Sequence, residues 1–131
     1  GIQNECDWYE VTCSNSMVMN LYFPNNNLSG TIPSELVSLT NLEYLNLGAN
    51  AALSGTIPSE LGSLANLGHL YLNDSGLSGT IPSELGLLTD LTYLLLHYND
   101  LSGTIPSELG LLTNLSYLYL NYNGLSGTIP S

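Results

Sequence analysis

The sequence predicts an α/β solenoid, with a curved parallel sheet on the concave side and short 3₁₀ or helical returns on the convex side. Leucines three residues apart and then a Leu-x-Leu alternation, which is typical of a short strand, recur between copies of one heptapeptide. One unit is too small to bury its own leucines, so stacked units must share a core. The heptapeptide, Leu-Ser-Gly-Thr-Ile-Pro-Ser, begins at Leu28, Leu53, Leu77, Leu101 and Leu125, which makes the units 24 or 25 residues long.

Composition excludes several classes of partner. The 131 residues contain no Lys or Arg and 11 acidic residues, which gives a formal net charge of -11. Nucleic acids and anionic lipids are held by clustered cations, so neither is an expected partner. No apolar run approaches the roughly 20 residues of a membrane-spanning helix, and we expect no direct membrane insertion by this segment.

The repeated unit and the first residues together carry a family resemblance. The unit reads Leu-x-x-Leu-x-Leu-x-x-Asn-x-Leu-Ser-Gly-Thr-Ile-Pro-Ser-Glu-Leu, and residues 6–13 follow Cys-x-Trp-x-Gly-Val-x-Cys with Glu10 at the glycine position. This resembles the plant-type leucine-rich repeat of receptor ectodomains and polygalacturonase inhibitors. The resemblance implies a right-handed solenoid that is extracellular, either secreted or part of a cell-surface ectodomain. We expect an amino-terminal cap over 1–17 and five repeats over 18–131, the last incomplete and uncapped.

The resemblance also implies roles for the cap residues. Cys6 and Cys13, the only cysteines, are expected to form a disulfide that fixes the start of the solenoid. Metal binding is the alternative, although two thiols without a nearby histidine make only half a site. Trp8 is expected to cover the leucines of the first repeat.

Three recurring residue types have structural explanations. The repeat asparagines are expected to point inward and bond loop backbone groups, and the repeat glycines to need an unusual φ or close packing. The glutamates should form a column that is screened by salt, partly protonated or bridged by a divalent ion. No cofactor and no metal site is predicted. In order, these sets are Asn26, Asn50, Asn99 and Asn123; Gly30, Gly55, Gly79, Gly103 and Gly127; and Glu35, Glu60, Glu84 and Glu108.

Side chains between the strand leucines should face the concave side, where they predict a binding surface. Tyrosines there combine rigid apolar area with a hydrogen-bonding group and suit a protein or glycan ligand. Alternatively, the rings form a cross-strand ladder without any ligand. The two histidines occupy different columns, which disfavours a metal pair or a proton relay. The predicted ligand-binding residues are Tyr22, Tyr44, His69, Tyr71, Tyr93, His97, Tyr98, Tyr117, Tyr119 and Tyr122.

Three further surfaces have predicted roles. Hydroxyl columns at alternate strand positions resemble those of ice-binding solenoids; their threonines are Thr31, Thr56, Thr80, Thr104 and Thr128. Three Asn-x-Ser sequons, at Asn27, Asn73 and Asn114, are candidates for glycosylation. Uncovered apolar residues at the carboxy end allow self-association in a structural matrix or filament: Leu118, Leu120, Leu125 and Ile129.

No Ser-His-acid set has a defensible geometry, so no catalytic residue is predicted. The sequence therefore predicts an extracellular, noncatalytic recognition or adhesion module. A self-assembling structural protein is the first alternative, and an ice-binding protein is the second.

Overall fold

In the computed structural model, which describes residues 5–7 and 10–131, every complete repeat contributes one strand to each of two sheets and one 3₁₀ turn. The predicted right-handed solenoid of parallel strands and short 3₁₀ returns is confirmed. Trp8, for which we expect a covering role, lies outside the described residues.

The first sheet is the predicted concave wall. Equivalent residues of successive repeats pair directly, so that Tyr44 lies beside His69 and Tyr93 beside Tyr117. The cap adds an antiparallel strand at one edge, which the repeat pattern alone does not predict. In sheet order the strands are β1 (Val11–Ser14), β2 (Met17–Tyr22), β4 (Tyr44–Asn46), β6 (His69–Tyr71), β8 (Tyr93–Leu95) and β10 (Tyr117–Tyr119).

The second sheet is formed by the Ser-Gly-Thr segments, and its strands are staggered. Each threonine pairs with the serine of the following strand rather than with its threonine, as Thr56 does with Ser78. The hydroxyl columns therefore cross this sheet obliquely. The strands are β3 (Ser29–Thr31), β5 (Ala52–Thr56), β7 (Gly76–Thr80), β9 (Asp100–Thr104) and β11 (Gly124–Ser126).

The convex returns are short 3₁₀ helices of five residues, each preceded by a proline in an extended conformation. A 3₁₀ helix has three residues per turn, which matches the three-residue spacing of the leucines and keeps them on one buried face. After the cap helix η1 (Glu5–Asp7), the returns are η2 (Ser34–Ser38), η3 (Ser59–Ser63), η4 (Ser83–Leu87) and η5 (Ser107–Leu111).

Leucines from every repeat fill one continuous core. Leu45, Leu70 and Leu94 occupy the centres of successive strands and are 0% exposed. Burying one such side chain contributes on the order of 1.5–3 kcal/mol. Because each repeat packs only on its neighbours, this ladder of leucines fixes the strand spacing that positions the concave side chains.

The inward asparagines behave as predicted except in the first repeat. The Asn50 amide nitrogen donates to the carbonyls of Phe23, Leu47 and Gly48 at 2.7–3.0 Å. The prediction is wrong for Asn26, which is exposed and donates to Glu10 Oε2 at 3.2 Å. The reason is that the cap, rather than another repeat, precedes this position and offers a carboxylate.

Two local predictions are confirmed. The five repeat glycines have positive φ between 77° and 83°, a conformation that only glycine adopts without penalty. Cys6 and Cys13 form a disulfide with an S–S distance of 2.02 Å, beside the antiparallel cap strand.

Candidate functional site

The first aromatic row of the concave sheet consists of Tyr44, His69, Tyr93 and Tyr117. The ring centroids of His69 and Tyr93 lie 4.8 Å apart at 15°, and those of Tyr93 and Tyr117 lie 4.6 Å apart at 10°. Direct pairing places these side chains about 4.8 Å apart, the spacing of neighbouring strands, which suits ring stacking. Both faces of the Tyr93 ring are therefore covered, whereas Tyr44 is tilted by 40° to His69.

A second row occupies the last position of each strand and packs edge-on against the first. The Tyr71 ring lies 5.3 Å from Tyr44 at 65° and 6.2 Å from Tyr93 at 65°. Burial, and then the neighbouring phenols of Tyr44 and Tyr93, raise the pKa of Tyr71 above its ordinary value. The other aromatic members of this row are Tyr22, which lies 6.0 Å from Tyr44, and Tyr119.

The third cluster lies in the loops that follow the strands. The ring centroids of Tyr98 and Tyr122 lie 4.3 Å apart with an angle of 6° between the ring planes. Tyr98 is 47% exposed and Tyr122 is 67% exposed. Both have left-handed backbone conformations, with φ of 55° and 57°. The repeat imposes this conformation at the position, and Asn or Asp adopts it more readily than tyrosine does. Tyr98 and Tyr122 therefore occupy positions whose backbone conformation is unfavourable for tyrosine.

His97 connects the second and third groups. Its ring makes edge contacts with Tyr98 and Tyr119 at 5.6 Å, and its Nε2 lies 3.8 Å from Asp74 Oδ2. Its Nδ1 is buried and, within the part of the chain that the structure describes, makes no hydrogen bond. His69 belongs to the first row instead, so the two histidines contact different tyrosines.

The structure brings the ten predicted ligand-binding residues into one network of ring contacts. This aromatic face carries hydroxyl and imidazole groups together with the Asp74 carboxylate, which accepts a 2.6 Å hydrogen bond from the Asn73 amide. Lys and Arg are missing from the sequence. The arrangement can donate hydrogen bonds and offer apolar ring edges, and its charge favours a neutral or basic ligand.

The threonine array on the second sheet lies against the repeat glycines. A Cβ added at Gly79 would lie 2.8 Å from the Thr56 methyl carbon, and a Cβ added at Gly55 would lie 2.8 Å from the Thr31 methyl carbon, so each methyl group occupies the space that the next glycine leaves free. Thr31, Thr56, Thr80, Thr104 and Thr128, the five threonines of this array, are exposed, and over residues 10–131 their hydroxyls make no hydrogen bond. Serine hydroxyls between them instead donate to the glycine carbonyl of the preceding repeat, as Ser78 does to Gly55 at 3.4 Å. Sequence reasoning missed this serine ladder because it depends on the stagger of the sheet.

The remaining predicted groups lie apart from the aromatic face. Glu35, Glu60, Glu84 and Glu108 are each exposed in the first turn of a 3₁₀ helix. Sequons Asn27 and Asn114 are exposed, and Asn73 is half-buried. At the carboxy end an apolar recess of about 340 Å³ is lined by residues that include Leu118, Leu120 and Ile129.

Comparison with known proteins places these features in a family. The Leucine Rich Repeat family model matches residues 18–39, 41–64, 66–88, 90–112 and 114–131. Among solved structures, the BIR3 - SERK2 complex from Arabidopsis thaliana is similar at 39% identity and a TM-score of 0.93, over 98% of this chain and 70% of that one.

Two further structures are similar but much longer than this chain. The ectodomain of the receptor kinase GASSHO1/SCHENGEN3 from Arabidopsis thaliana, in complex with CASPARIAN STRIP INTEGRITY FACTOR 2, shares 39% identity at a TM-score of 0.93. This chain is covered to 97% but spans only 16% of that ectodomain. A plant ice-binding protein shares 35% identity at a TM-score of 0.88, over 94% of this chain and 41% of that one.

No helix in the described ranges has the length and apolar character to cross a membrane. The repeat pattern, the two sheets and the matched family model agree over nearly the whole sequence. The chain belongs to the leucine-rich-repeat family and has the fold of plant receptor ectodomains.

Proposed function

We propose that this chain is an extracellular, noncatalytic recognition module that binds a protein or glycan ligand on its aromatic face. The observation that carries the proposal is the continuous ring network that crosses the strands from Tyr22 to Tyr119. Similar ectodomains supply further support, because one of them was solved in complex with CASPARIAN STRIP INTEGRITY FACTOR 2.

Ring orientation favours a protein segment over a stacked sugar. A sugar ring packs on the face of an aromatic side chain, but stacking covers the faces of Tyr93 on both sides. Exposed edges and hydroxyls instead suit the carbonyl groups and apolar side chains of a polypeptide. The partner is neutral or basic, because the carboxylates near the face have no cation from this chain to balance them.

A displayed library of random 12-residue peptides tests the proposal. Peptides selected on the parent protein are measured against a variant carrying Tyr93→Ala, Tyr117→Ala and Tyr119→Ala. We expect these peptides to lose at least tenfold in affinity, while the circular dichroism spectrum of the variant stays the same. The matching Tyr→Phe variant keeps the rings and removes the hydroxyls, so it separates ring packing from hydrogen bonding.

Threonine changes on the opposite sheet provide the matched control. Peptides selected on the parent should bind a Thr80→Val, Thr104→Val variant as well as they bind the parent. Selected peptides that bind the tyrosine variant equally well would move recognition to another surface.

We also propose ice binding as a second candidate function, carried by the threonine array. Its support is the similarity to a plant ice-binding protein together with the recurring exposed threonine methyl and hydroxyl groups described above. A rigid, uncharged array of methyl and hydroxyl groups can hold water in a regular pattern that joins an ice surface.

Freezing hysteresis decides this second candidate. The parent should show hysteresis and should slow ice recrystallisation, whereas Thr80→Tyr and Thr104→Tyr should reduce both by placing large rings in the array. Tyr93→Ala on the concave sheet is the control and should leave both unchanged. A parent without activity ends the candidate and leaves the recognition proposal intact.

A further inference from the structure

Asn27, in the loop between β2 and β3, has a side chain that does not bond to the rest of the described fold. Asn27 is exposed and has a left-handed backbone with φ of 55°. Within residues 10–131 its amide group makes no hydrogen bond. It nevertheless lies in a loop with well-defined contacts, and it begins the sequon Asn27-Leu28-Ser29.

Asn50 of the following repeat holds this loop in place. Its Oδ1 accepts hydrogen bonds from the backbone amides of Asn26 at 2.9 Å and Leu28 at 3.0 Å. Its amide nitrogen donates to the Phe23 carbonyl at 3.0 Å. The loop conformation therefore does not depend on the Asn27 side chain, and a group attached there removes no contact.

Within residues 10–131 the hydroxyl of Ser29, the third residue of this sequon, makes no hydrogen bond either. At the equivalent position in the later repeats, a serine donates to a glycine carbonyl of the preceding strand, as Ser54 does to Gly30. β3 is the edge strand of the second sheet, so Ser29 has no preceding strand to bond. Both polar groups of this sequon are thus available.

The other two sequons are already committed to the fold. The Asn73 amide donates to Asp74, and its Oδ1 lies against Gly48 on the aromatic face. The Asn114 amide donates to the Thr89 carbonyl at 2.8 Å, which links two successive repeats. In each sequon the serine hydroxyl contacts the carbonyl of its own asparagine, at 3.3 Å and 3.4 Å.

We infer that Asn27 is the attachment site of an N-linked glycan, an inference that rests on the extracellular location in the proposed function. The donor is an oligosaccharide linked to a polyprenyl diphosphate. A bond forms between Asn27 Nδ2 and the anomeric carbon of the first sugar, the bond from that carbon to the phosphate oxygen breaks, and the lipid diphosphate leaves. One amide proton is released and one N–H remains.

Site-resolved mass spectrometry of the chain, passed through a eukaryotic secretory pathway behind a supplied leader, tests the inference. We expect at least twofold higher occupancy at Asn27 than at Asn73 or Asn114. Asn27→Gln and Ser29→Ala should each abolish this modification, and Asn25→Gln should retain it. An unmodified Asn27, or higher occupancy at Asn73 or Asn114, overturns the assignment.

The same mass measurement on the protein from its natural source distinguishes an error in the glycan site from an error in the extracellular location on which the inference rests. If native chains lack glycans while secreted recombinant chains carry one at Asn27, the site is correct and the extracellular location is wrong. If secreted chains are unmodified at Asn27, the site is wrong, whatever the location and the ligand.

Discussion

Replacing Asn99 by alanine tests whether inward asparagines hold the stacked repeats together. Asn99 is 8% exposed, and its Oδ1 accepts a 3.0 Å hydrogen bond from the Leu77 amide of the preceding repeat. Its amide nitrogen donates to the carbonyls of Leu72 at 2.9 Å and Leu96 at 3.1 Å. Asn99→Ala removes these three bonds together with a longer one to the His97 carbonyl at 3.4 Å, and it leaves the Leu77 N–H and the carbonyls without their side-chain partner.

The expected loss follows from these contacts. A typical intramolecular hydrogen bond contributes about 1 kcal/mol net, and a buried donor left unsatisfied costs about 1–3 kcal/mol. The three bonds of 2.9–3.1 Å, one of them from a buried backbone N–H, give a loss in unfolding free energy of about 3 kcal/mol, to which the longer fourth bond adds little. For a chain of this size that lowers the melting temperature by on the order of 10 °C.

Urea denaturation followed by circular dichroism measures the change, and Asn26→Ala is the matched control. Asn26 occupies the same repeat position, but it is exposed, and over residues 10–131 its amide group makes a single hydrogen bond, to Glu10. We expect a change within about 0.5 kcal/mol for this control. A loss at Asn99 no larger than that at Asn26 would refute the reasoning, because burial and inter-repeat bonding would then add nothing.

Three further changes have expected outcomes. Gly86→Ala should lower the unfolding free energy by at least about 1 kcal/mol, since the added Cβ would lie 2.5 Å from the Glu108 carbonyl oxygen of the next return. Gly110→Ala is the control and should be tolerated, because there the nearest atom, the Ser131 carbonyl oxygen, is 3.8 Å away. The fold raises the pKa of Tyr71, so the stability that its neutral phenol contributes is fully present below pH ~10 and is lost as the pH rises through the folded pKa. Urea midpoints measured below and above that pH should therefore fall less for Tyr71→Phe than for the parent. Self-association through the carboxy end predicts a sedimentation mass that rises with concentration and falls with Leu118→Asn, and a monomer at every concentration contradicts it.

The sequence predicts the solenoid well because leucine burial repeats with the chain. Leu45, Leu70 and Leu94 fall in strands, and the leucines spaced by three fall in 3₁₀ returns, because each position has one way to reach the shared core. The stagger of the second sheet could not be predicted, since it follows from backbone pairing between copies of the same Leu-Ser-Gly-Thr segment. Copies of one segment carry no side-chain signal that distinguishes one register from another.

The sequence predicts which residues share the concave face, but it does not predict how their rings are arranged. Alternation assigns Tyr93 and Tyr117 to one face, but only the direct pairing of their strands makes the rings stack. The error at Asn26 has the same origin. Its repeat position predicts an inward side chain, whereas its environment is set by the cap, whose antiparallel strand has no counterpart in the repeat pattern.

The two faces of the solenoid differ in how much they vary from repeat to repeat, and this difference bears on what each can bind. The threonine position is identical in all five repeats, whereas the last strand position holds tyrosine in three, asparagine in one and leucine in one. An identical array offers the same groups at regular intervals and therefore complements a periodic target such as an ice lattice. A varied array offers a different group at each step and complements a partner with its own irregular order of side chains. A concatenated chain that repeats one unit should consequently keep any ice activity and lose peptide selectivity, and the opposite result would assign the two faces the other way round.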